Sequence, residues 1–333
     1  MSATLRAIAD AAGVSVSSVS RALAGRGDLR PETRERILAA ARDLGYNRAD
    51  EPRGRPAALD SRHIELVLGG VDDAWTDAIT AGARRSAFGL GFDLVLTLER
   101  DDPADDWPAR VATRRPAGVI LGIIRPTHRQ LHELRGLSIP LVLLDPRSDP
   151  EGELASVGTT DWQGGYDAGA HLAGTGLGRF VLVGGTPPYR FGRAREEGFR
   201  RAVAERAPSA SITRVESPWT GSAPTRQLLD ALAAGGPAGV FACSDQMAAA
   251  VYRAADQLGL AIPEQVSVVG FNDEPRARVM QPPLTTVRQP LQAMAARAVE
   301  LVQELRNGAV HHERIELPSE LVVRGSTSTR PGA

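Results

Sequence analysis

Apolar positions recur along this chain with two different periods, and the change from one to the other divides it. Leu5, Ile8, Ala9 and Ala12 fall three or four residues apart, and Val16, Val19, Ala22 and Leu23 begin a second face of the same period. Ile37, Leu38, Ala41 and Leu44 form a third. Gly13, between the first two faces, can take a positive φ without steric cost, and Ser15 stands where its hydroxyl can accept an orphan N–H of the next helix. Pro31 suits the first position of a third helix, where an N–H would have no partner, and Gly45 ends it. The pattern predicts three short helices, the first two joined by a tight turn.

Beyond residue 62 the period changes. Short apolar runs at 64–68, 92–98, 118–123, 141–144, 180–183, 239–242 and 266–270 alternate with helical stretches near 75–90, 105–114, 127–136, 163–174, 192–206, 222–234, 245–259 and 290–307. Such alternation implies parallel sheets covered by helices on both faces. The elements fill two successive doubly wound sheets, with a ligand crevice at the carboxyl ends of the strands. Residues 49–62, with Pro52, Gly54 and Pro56 and no strong periodicity, read as a linker. The expected organisation is a helix-turn-helix at 1–48, a hinge at 49–62 and a two-lobed α/β domain at 63–330.

Charge sharpens the reading of the first segment. The whole chain is nearly neutral at −1, yet residues 1–62 hold 11 arginines against 8 acidic residues, and no lysine occurs anywhere. Every basic contact is therefore made by arginine, whose planar fork suits phosphate and guanine. The outward positions of the second helix, Ser17, Ser18, Ser20 and Arg21, are short donors plus one guanidinium. These can lie against base edges and phosphates of double-stranded DNA, which an ordinary three-helix bundle has no reason to provide.

The 42% hydrophobic content permits sizeable cores. No apolar run reaches the roughly 18 residues of a membrane span, and the first residues lack an export signal, so a cytoplasmic protein is expected. Cys243, the one cysteine, lies in an apolar run and reads as inert packing.

Three further stretches, 243–248 (CSDQMA), 263–273 (around VSVVGFND) and 282–290 (PPLTTVRQP), together with 321–327 (LVVRGST), carry a resemblance over nearly the whole chain. With the helix-turn-helix, they make it similar to bacterial transcription regulators of the lactose-repressor (LacI-type) family. The resemblance implies a helix-turn-helix fused to a two-lobed, periplasmic-binding-protein-like effector domain. It implies a homodimer on a pseudo-palindromic operator, with recognition helices in successive major grooves. Val16, Ser17 and Arg21 match recognition-helix positions, with Ser20 and Ala24 beside them; Thr4, Leu5, Ser15, Ser18 and Tyr46 complete the candidate DNA contacts. The family's linker wedges a leucine into the minor groove. Here Pro52, Gly54 and Pro56 interrupt that segment, leaving Leu59 as the candidate wedge.

The resemblance also implies a small-molecule effector, most simply a sugar. Sugars present apolar faces and a rim of hydroxyls, so aromatic plates and a few bidentate polar groups are sought. Trp75, Trp162 and Trp219 fall after strands or at helix starts; Trp107 reads as core, and Trp162 is balanced between a core residue and a ligand plate. Asp161, Arg195, Ser244, Asn272 and Gln289 match the family's ligand-contacting positions, and Arg125 joins Trp75 and Trp219 in the candidate set. Many relatives carry Asn or Thr where Ser244 stands and Asp where Asn272 stands, which alters the favoured hydroxyls. A non-sugar effector such as a purine is the alternative within the family.

Other classes fit less well. The glycine run 174–178 precedes a strand where a dinucleotide loop would follow one, and prolines 187 and 188 stand where a phosphate-cradling helix would begin. His63, His128, His132, His171, His311 and His312 show no ligand spacing, so no metal, cofactor or catalytic residue is expected. A transport-type sugar-binding protein would share the crevice but not the first three helices. By analogy, dimer contacts are expected near 75–90 and 222–234, and release of DNA by the effector is the expected sign.

Overall fold

The computed structural model describes residues 5–23, 30–44, 61–71, 73–99, 106–124, 126–148, 154–310 and 314–328. Contacts separate the chain into two units, Met1–Pro56 and Ala57–Ala333. In the first, α1 (Leu5–Ala12), α2 (Val16–Leu23) and α3 (Pro31–Asp43) surround a core of Ile8, Ala9, Ala12, Val19, Ala22, Ile37 and Ala41. Gly13 takes φ +63°, and the Ser18 N–H donates to Ser15 Oγ at 3.2 Å, capping α2. The Arg36 Nε–H donates to the Ala12 carbonyl at 3.1 Å, so α3 closes the carboxyl end of α1. Two positions expected to face inward do not: Val16 and Leu44 are each 43% exposed. Val16 opens α2 outside the core, and Leu44 follows α3 with its N–H still bonded to the Ala40 carbonyl at 3.1 Å but its side chain outside the core.

The second unit has two lobes, each built on a six-stranded sheet. β1 (His63–Leu68), β2 (Asp93–Leu98), β3 (Gly118–Gly122), β4 (Leu141–Leu144) and β5 (Ala155–Thr159) form the first lobe with α4 (Ala74–Gly89), α5 (Trp107–Arg114) and α6 (His128–Gly136). α7 (Asp161–Ala173), β6 (Arg179–Thr186), α8 (Arg190–Arg206), β7 (Ser211–Pro218), α9 (Arg226–Ala233), β8 (Ala238–Ala242), α10 (Asp245–Gln257), β9 (Val266–Asn272) and β10 (Thr285–Arg288) form the second. The chain then returns: α11 (Leu291–Arg306) packs Met294, Ala298, Val299 and Val302 into the first lobe's core. β11 (Arg314–Leu317) pairs with β5, and β12 (Glu320–Val322) pairs antiparallel with β10. The strand orders are β11-β5-β4-β3-β1-β2 and β12-β10-β9-β8-β6-β7, parallel except for β12.

All seven apolar runs become strands, but β5, β7, β10, β11 and β12 are additional to the sequence expectation. Three passages join the lobes, at residue 160, at 289–290 and at 318–319. Two of them are pinned together: the Ser319 N–H donates to Thr160 Oγ1 at 2.9 Å, and the Thr160 N–H donates to the Leu317 carbonyl at 3.0 Å. Within the second lobe α7 and α8 touch backbone to backbone. A Cβ at Gly165 would overlap the Arg195 carbonyl, and one at Gly198 would overlap that of Trp162, so small residues set where Arg195 stands. Trp107 is fully buried in the first lobe, as expected of a core residue. Among the described residues no helix is long and apolar enough to cross a membrane.

Candidate effector cleft and nucleic-acid interface

A cavity of about 660 Å³ lies between the lobes. Its walls are the carboxyl ends of strands from both sheets: Gly69 and Gly70 follow β1, Asp145 follows β4, Thr186 ends β6, Pro218 ends β7, Ser244 follows β8, Asn272 ends β9 and Gln289 follows β10. This is where a doubly wound sheet opens a crevice, because neighbouring loops depart to opposite faces.

Arg195 is the most constrained polar group in that wall, at 2% exposure. Its Nε–H donates to Asp161 Oδ1 at 2.9 Å, Nη1 donates to the Cys243 carbonyl at 2.9 Å, and the guanidinium lies 3.8 Å over the Phe271 ring. Asp161 is placed differently from the sequence expectation. It opens α7 buried behind Arg195 and does not line the cavity, so it orients the arginine instead of meeting a ligand. Burial pushes its carboxyl well above the usual aspartate range, with the Arg195 charge opposing.

Ser244 lines the cleft and caps α10, its Oγ accepting from the Met247 N–H at 3.2 Å. Asn272, at φ +120°, donates from Nδ2 to Glu274 Oε1 at 3.2 Å. The loop after it is held from below by Asp245, whose Oδ2 accepts from the Glu274 N–H at 2.7 Å and whose Oδ1 accepts from Thr286 Oγ1 at 2.6 Å. Burial raises Asp245 to about 8. Gln289 is 5% exposed beside Asp145, and neither its amide oxygen nor its nitrogen makes a full hydrogen bond. A buried amide left in that condition is costly unless something else satisfies it.

Each lobe supplies aromatic side chains to the cavity wall. Trp75 comes from the first turn of α4, nearly buried, with its indole N–H unbonded. Trp219 comes from the other lobe, its Nε1–H donating to the Pro187 carbonyl at 2.7 Å. It stacks on Tyr189 at 5.6 Å and 20°, and meets Phe191 edge-on at 4.9 Å. Trp162 is a correction: it is 38% exposed on α7, stacked on Tyr166 at 5.4 Å, and belongs to a separate surface groove with Glu197 and Arg200. Its ring faces away from the cleft because α7 turns its buried side, Gly164, Gly165 and Ala168, inward.

Sequence reasoning missed Asp145, Arg147, Tyr189, Phe191, Glu274 and Arg276, all of which line the cavity. Asp145 carried a usable signal, being the first residue after a four-residue apolar run. It is buried at φ +50°, and burial raises its carboxyl while Arg195 and Arg314 oppose the rise.

In the helix-turn-helix, Ser15 and Ser18 share a 2.9 Å hydroxyl contact at the start of α2, next to exposed Val16. Leu5 begins α1, and Ser17, Ser20 and Arg21 lie within α2. Thr4, Ala24, Tyr46, Leu59 and Arg125 lie outside the described residues, as does most of the expected hinge.

Residues 4–49 match the family model for bacterial regulatory proteins of the lacI family, and residues 170–327 match a periplasmic binding protein-like domain. The chain is 33% identical to the HTH-type transcriptional regulator reg1 of Streptomyces lividans, covering 100% of this chain and 99% of that protein. It is 32% identical to the HTH-type transcriptional regulator MalR of Streptomyces coelicolor, over 100% and 98% of the two chains. Among solved structures, the complex of the transcriptional regulator CelR with cellobiose aligns with TM-score 0.72 and 27% identity over 97% of this chain and 99% of that one. The lac repressor dimer bound to operator aligns with TM-score 0.71 over 98% and 99%, and at 23% identity it speaks for the fold. The chain belongs to the lacI family of bacterial regulatory proteins: it is a DNA-binding, helix-turn-helix transcriptional regulator.

Proposed function

We propose that the chain is a homodimeric repressor whose hold on a pseudo-palindromic operator is weakened by a neutral carbohydrate bound between its lobes. The observation that carries this reading is the Gln289 amide, buried in the cleft wall with only a loose contact to Asp145 and no donor to its oxygen. A hydroxyl pair satisfies an amide and a carboxylate together, and Trp75 and Trp219 supply the apolar faces that a sugar ring stacks on. The cavity lining sets three arginines, Arg147, Arg195 and Arg276, against three carboxylates, Asp73, Asp145 and Glu274, a balance that favours a neutral ligand over an anionic one. The effector set is Trp75, Arg195, Trp219, Ser244, Asn272 and Gln289, joined by Asp145 and Tyr189; Arg125 is kept on its sequence position alone. The related regulator solved as a complex with cellobiose points the same way.

The DNA contacts are assigned to Val16, Ser17, Ser20 and Arg21 on α2, with Thr4, Leu5, Ser15, Ser18, Ala24 and Tyr46 around them and Leu59 as the wedge. The organisation into residues 1–48, 49–62 and 63–330 goes with this reading. A dimer face is supplied by Phe88 and Leu90 at the end of α4 and by Leu96 and Leu98 on the edge strand β2, all exposed. A regulator of this kind works where the chromosome is, in the cytoplasm, and needs no reaction of its own.

A thermal-shift panel of cellobiose, maltose, glucose and hypoxanthine tests the ligand class. A ligand held by the native state at about 100 times its Kd stabilises by about 2.7 kcal/mol, so a cognate sugar raises the Tm by several degrees. A rise with hypoxanthine alone would assign a purine sensor, and no rise with any sugar would remove the carbohydrate reading.

A further inference from the structure

Three buried charges and one half-buried arginine lie between the cleft and the passages that join the lobes. Asp145, after β4, and Arg314, at the start of β11, belong to the first lobe; Asp161, opening α7, and Arg195, on α8, belong to the second. Each lobe thus contributes one carboxylate and one guanidinium. Arg195 Nη2 is 2.9 Å from Asp161 Oδ1, a pair internal to the second lobe. Arg314 behaves otherwise. Its Nη2 stands 3.5 Å from Asp161 Oδ2, across the boundary, and 3.9 Å from Asp145 Oδ1, on its own side. Its Nε–H is fixed to Glu316 Oε1 at 2.7 Å, so the head group is anchored on β11 while one nitrogen is placed between the carboxylates of the two lobes.

The surroundings accommodate that arrangement closely. Gly158 on β5 presents bare backbone, and a Cβ there would overlap the Arg314 guanidinium. The Thr160–Ser319 pin, with its hydroxyls 3.0 Å apart, ties two of the three passages between the lobes. Asp145 and Arg195 face the cavity, whereas Asp161 and Arg314 do not. Asp145 Oδ1, the oxygen nearest Arg314, has no hydrogen-bond donor.

We propose that Arg314 is a positioning residue that sets the angle between the lobes by holding Asp161 across the boundary, in competition with Asp145. The link to regulation rests on the function proposed above: a hydroxyl donated to Asp145 Oδ1 weakens its claim on Arg314, which then binds Asp161 more firmly and draws the lobes together. Buried ion pairs act over short distances and tolerate little misplacement, so exchange between two carboxylates yields two discrete lobe angles.

The test needs neither ligand nor DNA, so it stands apart from the identity of the effector. Spin labels are placed at cysteines replacing exposed Arg129 on α6 and Arg226 on α9, the native Cys243 being buried, and labelled chains are diluted into unlabelled protein. Pulsed electron paramagnetic resonance then reads the distance between lobes. Arg314→Gln is expected to lengthen and broaden it. Gly158→Ala, which displaces the guanidinium without removing any charge, is expected to do the same. Asp145→Asn, which weakens the competitor, is expected to shorten it. A control pair within the first lobe, at Arg84 and Arg129, should not move. Unchanged distances between lobes in Arg314→Gln and Gly158→Ala, or an equal shift in the control pair, would overturn the proposal.

Discussion

Replacing Arg195 with methionine is expected to lower the stability of the effector domain by about 3–5 kcal/mol, the usual cost of leaving one partner of a buried ion pair uncompensated. Arg195 and Asp161 are both 2% exposed, and Arg314, engaged also with Glu316 and Asp145, offers Asp161 a single longer contact at 3.5 Å that compensates only part of the charge. The Cys243 carbonyl loses its donor as well. In a domain of this size the loss corresponds to a fall in Tm of roughly 6–15 °C, read by calorimetry. The pH dependence has a definite sign. Burial already holds the Asp161 carboxyl above its unfolded value with Arg195 present, and removal of the cation raises it further. A carboxyl whose folded pKa exceeds its unfolded one binds more protons in the native state. The unfolded value is common to parent and variant, so the variant's deficit is full above its own raised folded pKa, shrinks as pH falls through that value, and levels off below the parent's folded value of about 7. Asp161→Asn combined with Arg195→Met should recover part of the stability, since no buried charge is then left alone. A single variant within about 1 kcal/mol of the parent at pH 7.5, with the same pH profile, would show that the pair does not hold the wall.

The second large effect lies in the other unit. Val16→Glu is expected to leave the three-helix bundle folded, because this side chain is exposed and takes no part in the core of Ile8, Val19 and Ile37. On an operator it brings a carboxylate to the start of α2, where an apolar or short polar group would meet base edges and phosphates are close. A lost base contact costs about 1–3 kcal/mol, and a two-fold dimer pays it at both half-sites, so operator affinity should fall by about 30-fold at least. Fluorescence anisotropy with a labelled operator measures this, and ligand binding in the cleft should not change. An unaltered Kd would remove α2 from the interface.

Local patterning carried much of this architecture. The helix-turn-helix follows from three apolar faces and one glycine at φ +63°, and the strands found from sequence are those with continuous apolar runs. β5 escaped because Ala-Ser-Val-Gly-Thr is fully buried without being strongly apolar. β7 escaped because it is an edge strand, with polar residues alternating along SITRVESP. β11 and β12 are short, and their pairing depends on the chain crossing between lobes, which no local pattern encodes. Arg195, Ser244, Asn272, Gln289, Trp75 and Trp219 all line the same cavity. Asp161 and Trp162 do not, although both sit at the start of the same helix. Neighbours on a helix face different directions, and α7 is rotated so that one meets Arg195 and the other meets solvent. Tyr189 and Arg147 became visible only in three dimensions, where Arg147 stands 5.0 Å over the tyrosine ring and its carbonyl accepts from the Arg190 N–H at 2.8 Å.

Regulation by the cleft requires that its occupancy and the occupancy of DNA be linked through one free energy. Full-length protein titrated onto a labelled fragment of its own promoter region, with and without the sugar that raises its Tm, measures that linkage directly. A coupling of about 1–3 kcal/mol predicts that the sugar weakens DNA binding by roughly 5- to 150-fold. Equal affinity in its presence and absence would contradict the account.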